Sequence, residues 1–174
     1  MKSHKDDEFR TVRGYQLINR QQNQLTSAME DYLEMACRLC VQEGYTRIGR
    51  LSESLHVRPS SASKMVSRLV NQGFLAYDHY ESIRLTDQGK RVGEYLIERH
   101  NTVEQFLKLI GNSNPLEETE LIEHTLNPDT VYRLKTLLEF FQWDKMALKH
   151  FHDFQEIRGV GEGEPASCPS APGG

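Results

Sequence analysis

Residues 56–85, HVRPSSASKMVSRLVNQGFLAYDHYESIRL, decide how this chain folds. Pro59 suits the first turn of a helix, where its missing N–H is not needed and its φ is already helical. Gly73 suits the end of that helix, where the left-handed conformation is common. Between them Ala62, Met65, Val66 and Leu69 recur at helical spacing, which predicts one apolar face. After Gly73, FLAYDHYESIRL alternates, which predicts two short strands joined by a turn around Asp78–Ser82.

Upstream, the stripe Met29, Leu33, Ala36 and Cys40 predicts a helix from about Ser27 to Glu43. A capping box of Ser27 with Glu30 would start it, and Gly44 would close it. A short helix is expected over roughly Arg47–Leu55. Helix, short helix, turn, helix and hairpin is the order of a winged helix-turn-helix, whose third helix enters a DNA major groove. The face of that helix away from the apolar stripe carries Ser60, Ser61, Ser63, Lys64, Ser67 and Arg68. Small hydroxyls allow close approach, and the two cations neutralise phosphates. Arg58 and Pro59 at its start, with Tyr80 and Arg84 in the wing, complete the expected DNA-facing set. The alternative is an ordinary polar helix of a helical bundle.

The formal net charge of −4 conceals an uneven distribution. Residues 47–91 carry eight Lys or Arg against four Asp or Glu, whereas residues 117–156 carry four against nine. One end thus suits a polyanion and the other suits cations. With 37% hydrophobic and 26% charged residues, the 174-residue chain is expected to bury a core. No run of 18 apolar residues is present, and MKSHKDDEFR has no apolar segment of a secretory leader, so a cytoplasmic protein is expected. Residues 1–24 read as a flexible arm. GVGEGEPASCPSAPGG reads as a disordered tail, being rich in Gly, Pro and Ser.

Thr86 and Asp87 are expected to cap a long helix to about Ile110, with Val92, Leu96, Val103, Phe106, Leu107 and Ile110 in register. Pro115 starts a helix that includes residues 118–126, ETELIEHTL. There Glu120, Glu123 and His124 share one side among Leu121, Ile122 and Leu126, and two carboxylates with an imidazole repel unless a cation lies between them. A solvated acidic face is the alternative. Asn127 with Pro128 begins a further helix, and a last one runs from about Trp143 to Phe154. Leu134, Leu137, Leu138, Phe140, Phe141, Trp143, Phe151 and Phe154 give these two more apolar surface than one chain covers, which predicts a homodimer.

Asp31 and Glu34 are i, i+3 neighbours on the first helix, and His100 lies beside the apolar stripe of the long one. Burying such charge without a cation costs several kcal/mol per ion. Carboxylates and imidazoles without thiolates form a hard donor set that suits manganese or ferrous iron. Cys37 and Cys40 form a C-x-x-C, but inside an amphipathic helix they read as packing. Cys168 belongs to the tail. His150 and His152 have no acidic cluster beside them.

The stretches AMEDYLEMACRL, VRPSSASKMVSRL, GFLAYDHYESIRLTDQGK, ERHNTVEQFLKLIG and ETELIEHTL resemble the manganese transport regulator branch of the diphtheria-toxin-repressor family of metal-dependent transcriptional regulators. The resemblance covers about residues 25–157. It implies a mainly α protein, with a winged helix-turn-helix over 25–92 and a helical metal-binding and dimerisation domain over 93–157. Residues 158–174 form the tail, and the SH3-like third domain of longer relatives is not expected. It further implies that Asp31, Glu34, His100, Glu120, Glu123 and His124 are metal ligands, taking Mn2+, two per subunit, with Fe2+ or other divalent transition metals also accepted. Asp31 stands where iron-responsive relatives carry methionine, and its harder oxygen leans towards manganese.

The implied function is a manganese-activated repressor of metal-ion uptake genes, binding double-stranded operator DNA as a homodimer, with no membrane and no small organic substrate as partner. Metal at the junction of the two domains would favour operator binding. An iron-responsive regulator of the same family and a metal-independent winged-helix regulator are alternatives. A di-metal carboxylate enzyme is disfavoured because paired Glu-x-x-His motifs are missing. On these grounds no catalysis is expected. Clustered carboxylates also predict that Glu123→Ala relieves repulsion.

Overall fold

The computed structural model describes residues 25–78 and 82–159. The arm of residues 1–24, nearly all of the tail with Cys168, the tip of the wing and the candidate DNA contact Tyr80 lie outside the described residues. The protein is mainly helical and divides into two compact units, residues 1–98 and 99–174.

The first unit begins with helix α1, Ser27–Glu43. Its N-cap is Thr26 rather than the expected Ser27: the Met29 backbone N–H donates to the Thr26 carbonyl at 2.8 Å and, more distantly, to the Thr26 side chain at 3.4 Å. Gly44 closes α1 at φ 74, its N–H donating to the Cys40 carbonyl. Helix α2, Ile48–Ser54, turns into α3, Pro59–Asn71, through His56 at φ 53. Histidine is one of the side chains that tolerates this left-handed geometry. Ala62, Val66 and Leu69 of α3 are fully buried and Met65 partly so, as the periodicity predicts.

The wing is an antiparallel pair, β1 Leu75–Tyr77 and β2 Ile83–Leu85, with Leu75 opposite Leu85 and Tyr77 opposite Ile83. Thr46, just after α1, exchanges two backbone hydrogen bonds of 2.8 Å with Ile83 and so ties the wing to the helical part. One core joins these elements through Leu33, Ala36, Leu51, Val66, Leu69, Phe74, Leu75 and Ile83, closed by Leu96.

Helix α4, Asp87–Leu109, starts where Thr86 Oγ1 accepts from the Gly89 N–H at 3.0 Å. The boundary between the two units falls within it. In the second unit α5 covers Pro115–Ile122, α6 Pro128–Trp143 and α7 Lys145–Ile157. The last helix therefore starts two residues later than expected, because the Asp144 side chain caps it by accepting from the Ala147 N–H at 2.9 Å. Phe141 meets Phe151 across the α6–α7 pair with ring centroids 5.3 Å apart.

The helix expected through residues 118–126 is broken. It ends at Ile122, and Glu123–Thr125 form a 3-10 turn. Pro128 excludes the helical conformation at the residue before it, and Asn127 is extended, with ψ 142. Leu126 is extended too, so the last turn tightens instead of continuing. Leu121 consequently does not help wedge the acidic side chains, being 71% exposed.

Candidate metal centre and candidate DNA-binding helix

In the second unit the site is built from the start of that unit's stretch of α4 and from the 3-10 turn. Glu123 is 2% exposed, a carboxylate taken almost wholly out of water. His100 Nδ1 lies 3.3 Å from its Oε1, and His124 Nε2 lies 3.8 Å from the same oxygen. Glu120 is different: its side chain is 58% exposed and only its Oε1, 3.6 Å from His100 Nδ1, reaches the group. A carboxylate only accepts, so His100 donates from Nδ1 to Glu123, and this nitrogen is the one that faces the carboxylates of both Glu123 and Glu120.

Arg99 was not singled out in the sequence, and it is the principal addition. It is 4% exposed, with Nε 3.5 Å from Glu123 Oε2 and Nη2 3.0 Å from His124 Nδ1. Its signal was legible: residues 96, 99 and 103 follow the helical stripe that Leu96 and Val103 define. Burial alone pushes the Glu123 carboxyl up. The hydrogen bond from His100, with the Arg99 guanidinium and the electrostatic pull of the two imidazoles, outweighs it and leaves the carboxyl below its ordinary range.

These residues fit a hard divalent cation. The donors are carboxylate oxygens and imidazole nitrogens, and the buried Glu123 Oε2 accepts no hydrogen bond. An oxygen in that condition is costly unless a further positive partner takes it.

In the first unit Asp31 is half-buried on α1 and Glu34, one turn on, is 8% exposed. Glu34 Oε1 accepts from Arg38 Nε at 3.0 Å and Nη2 at 2.7 Å. Cys37 and Cys40 are free thiols buried in the same helix, and burial pushes both up from the ordinary thiol range. They pack, as the sequence implied.

The residues expected to face DNA stand outward. Arg58, Pro59, Ser60, Ser61, Ser63, Lys64, Ser67 and Arg68 are all exposed, as is Arg84 on the wing. Ser67 spends its hydroxyl on the Ser63 carbonyl at 2.9 Å, and Arg84 pairs with Asp78 at 3.3 Å. Within α3 the apolar and polar faces therefore separate as the spacing requires.

Two family models match, together spanning most of the chain. Residues 24–83 match the iron dependent repressor N-terminal DNA binding domain, and residues 86–150 match the iron dependent repressor metal binding and dimerisation domain. An HTH-type transcriptional regulator MntR from Geobacillus kaustophilus is 39% identical over 79% of this chain and 99% of its own length. Its counterpart from Geobacillus thermodenitrificans is 37% identical over the same shares. Among solved structures, the manganese regulator SloR superposes with TM-score 0.59 at 27% identity, covering 67% of this chain and 55% of that one. The T. acidophilum IdeR structure gives 0.57 at 25% identity, covering 63% and 53%, so the chain spans about half the length of these two. These relatives are transcriptional regulators and not enzymes. No described helix is long and apolar enough to cross a membrane. With a DNA-binding helix-turn-helix unit and a helical metal-binding and dimerisation unit, the chain belongs to the iron-dependent repressor family of metal-responsive, DNA-binding transcriptional repressors.

Proposed function

We propose that this protein is a manganese-responsive repressor of metal-ion uptake genes, acting in the cytoplasm as a homodimer on double-stranded operator DNA. The observation that carries the reading is the Glu123 carboxylate, almost fully buried, with two imidazoles on one oxygen and no hydrogen bond to the other. The proposed ligands are Asp31 and Glu34 of α1 with His100, Glu120, Glu123 and His124, for two Mn2+ per subunit. The printed names of the manganese regulators above support the choice of ion.

When bound, the metal supplies positive charge that lets several carboxylates share one place. The remaining work belongs to the chain. His100 turns Nδ1 towards the two carboxylates, and Glu123 is held inward by the 3-10 turn. Exposed Glu120 closes over the site at little desolvation cost. Lys64 and Arg68 on α3 neutralise phosphates, while Arg58, Pro59, Ser60, Ser61 and Ser63 approach the groove, Ser67 and Arg84 flank it, and Tyr80 is a further proposed contact. Exposed Tyr132, Leu137, Phe140, Trp143 and Phe154 on α6 and α7 supply the apolar surface for a second copy.

An iron-responsive repressor is the second reading, favoured by the description of the two matched family models. One experiment separates them: a mobility-shift titration of a manganese-transporter promoter after chelation, with manganese, iron and zinc added in turn. Manganese restores the shift at the lowest concentration if the proposal holds. Retardation independent of every metal overturns it. Sedimentation that shows a monomer at micromolar concentration, with and without metal, overturns the dimer.

A further inference from the structure

Arg99 is a buried cation in contact with two of the proposed ligands, and the ligand set leaves it without a role. Its guanidinium touches His124 Nδ1 through Nη2 at 3.0 Å and approaches Glu123 Oε2 through Nε at 3.5 Å. A guanidinium has donors only, so His124 Nδ1 accepts. A neutral imidazole bonded in this way carries its proton on Nε2 and has one in-plane lone pair, which Arg99 already holds. His124 then has none left for a cation.

We propose that Arg99 is the positioning residue of the metal centre and that it competes with the ion for His124. Resting on the metal-centre reading above, this makes metal uptake an exchange: the ion gains the ring's lone pair only as the guanidinium gives up Nδ1, whether to the ion or to the proton that leaves Nε2. Two further consequences follow from the contacts. The same contact leaves the ring proton on His124 Nε2, the nitrogen that faces Glu123 Oε1 at 3.8 Å, so an ion taken there needs that proton moved away. The competing positive charge beside Glu123 also weakens uptake, so the regulator ignores traces of metal and answers only a higher concentration. The effect is electrostatic and local, because both Arg99 and Glu123 lie out of water, where charge is poorly screened.

The test uses the full chain after chelation, at pH 8. Long-range 1H–15N correlation with labelled histidine should find His124 protonated at Nε2, and the Nδ1–H tautomer overturns the contact. Manganese uptake is then followed by loss of the free-ion electron paramagnetic resonance signal. Arg99→Met should bind manganese at least about tenfold tighter than wild type, equivalent to about 1.4 kcal/mol. Unchanged or weaker binding overturns the proposal. Arg99→Lys keeps the charge and one donor point, so its affinity should fall between the other two. Should Arg99→Met fail to give a cooperative melting curve, Arg99→Lys decides alone: tighter binding than wild type supports the competition, and equal or weaker binding overturns it. Wild-type protein that takes up no manganese overturns the metal-centre reading itself. That failure stays distinct, because the His124 tautomer reads the Arg99 contact without any metal.

Discussion

Arg99 Nε lies 3.5 Å from Glu123 Oε2, both side chains buried, so the carboxylate expected to suffer from acidic neighbours is instead paired with a cation. The expectation that Glu123→Ala relieves repulsion is therefore reversed. Glu123→Ala removes the buried carboxylate that faces the buried Arg99, and breaking such a buried pair costs about 3–5 kcal/mol. Urea unfolding of chelated Glu123→Ala should show a loss of that order, and metal-dependent DNA retardation should vanish even in excess manganese. A variant as stable as wild type would mean that the pair contributes nothing.

Lys64 and Arg68 are exposed on α3 beside its serines. Each Lys64→Ala or Arg68→Ala replacement should weaken operator binding and lower the salt slope by about one unit, leaving manganese affinity unaltered. A salt slope equal to wild type in both variants places another element in the groove.

Asp31→Met exchanges a hard oxygen for a soft sulfur at a half-buried place on α1. In the mobility-shift titration the ratio of iron to manganese needed for half-retardation should fall. The same ratio as wild type would remove Asp31 from the proposed ligands.

Gly89 and Gly93 let α4 lie close to its neighbours within the first unit. A Cβ at Gly89 would stand 1.8 Å from the Phe74 carbonyl oxygen, while one at Gly93 would meet Cys37 Cβ at 2.8 Å and Sγ at 3.0 Å. Backbone yields less readily than a side chain. Gly93→Ala should cost about 1–3 kcal/mol by overpacking, and Gly89→Ala more. Calorimetry that ranks them the other way contradicts the packing described.

Burial raises the Cys37 and Cys40 thiols above the ordinary thiol range, and carboxylates beside Cys37 add to it. A raised folded value leaves stability intact below the unfolded one and lost as pH rises through the folded one. Stability should thus decline above about pH 9, less steeply in the Cys37→Ala/Cys40→Ala double variant, and native thiols should resist alkylation at pH 7.5. Equal slopes for the two proteins would remove the thiols from the account.

The winged helix-turn-helix is legible along the chain. Pro59, Gly44, Gly73 and the stripes through Leu33 and Leu69 act over three or four residues, and local backbone preference with one-face burial suffices to place such elements. The sequence also placed His100 beside a buried stripe and gathered the acidic residues that follow Pro115. Tertiary structure alone decided which of those acidic residues turns inward. A regular helix through 118–126 would have treated Glu120 and Glu123 alike, but the extended chain before Pro128 breaks it, burying Glu123 and leaving Glu120 exposed. Nor does periodicity name partners. Arg99 lies 25 residues from His124 and 24 from Glu123, and such pairs are set by how α4 packs on the turn after α5, which no pattern along a single element encodes.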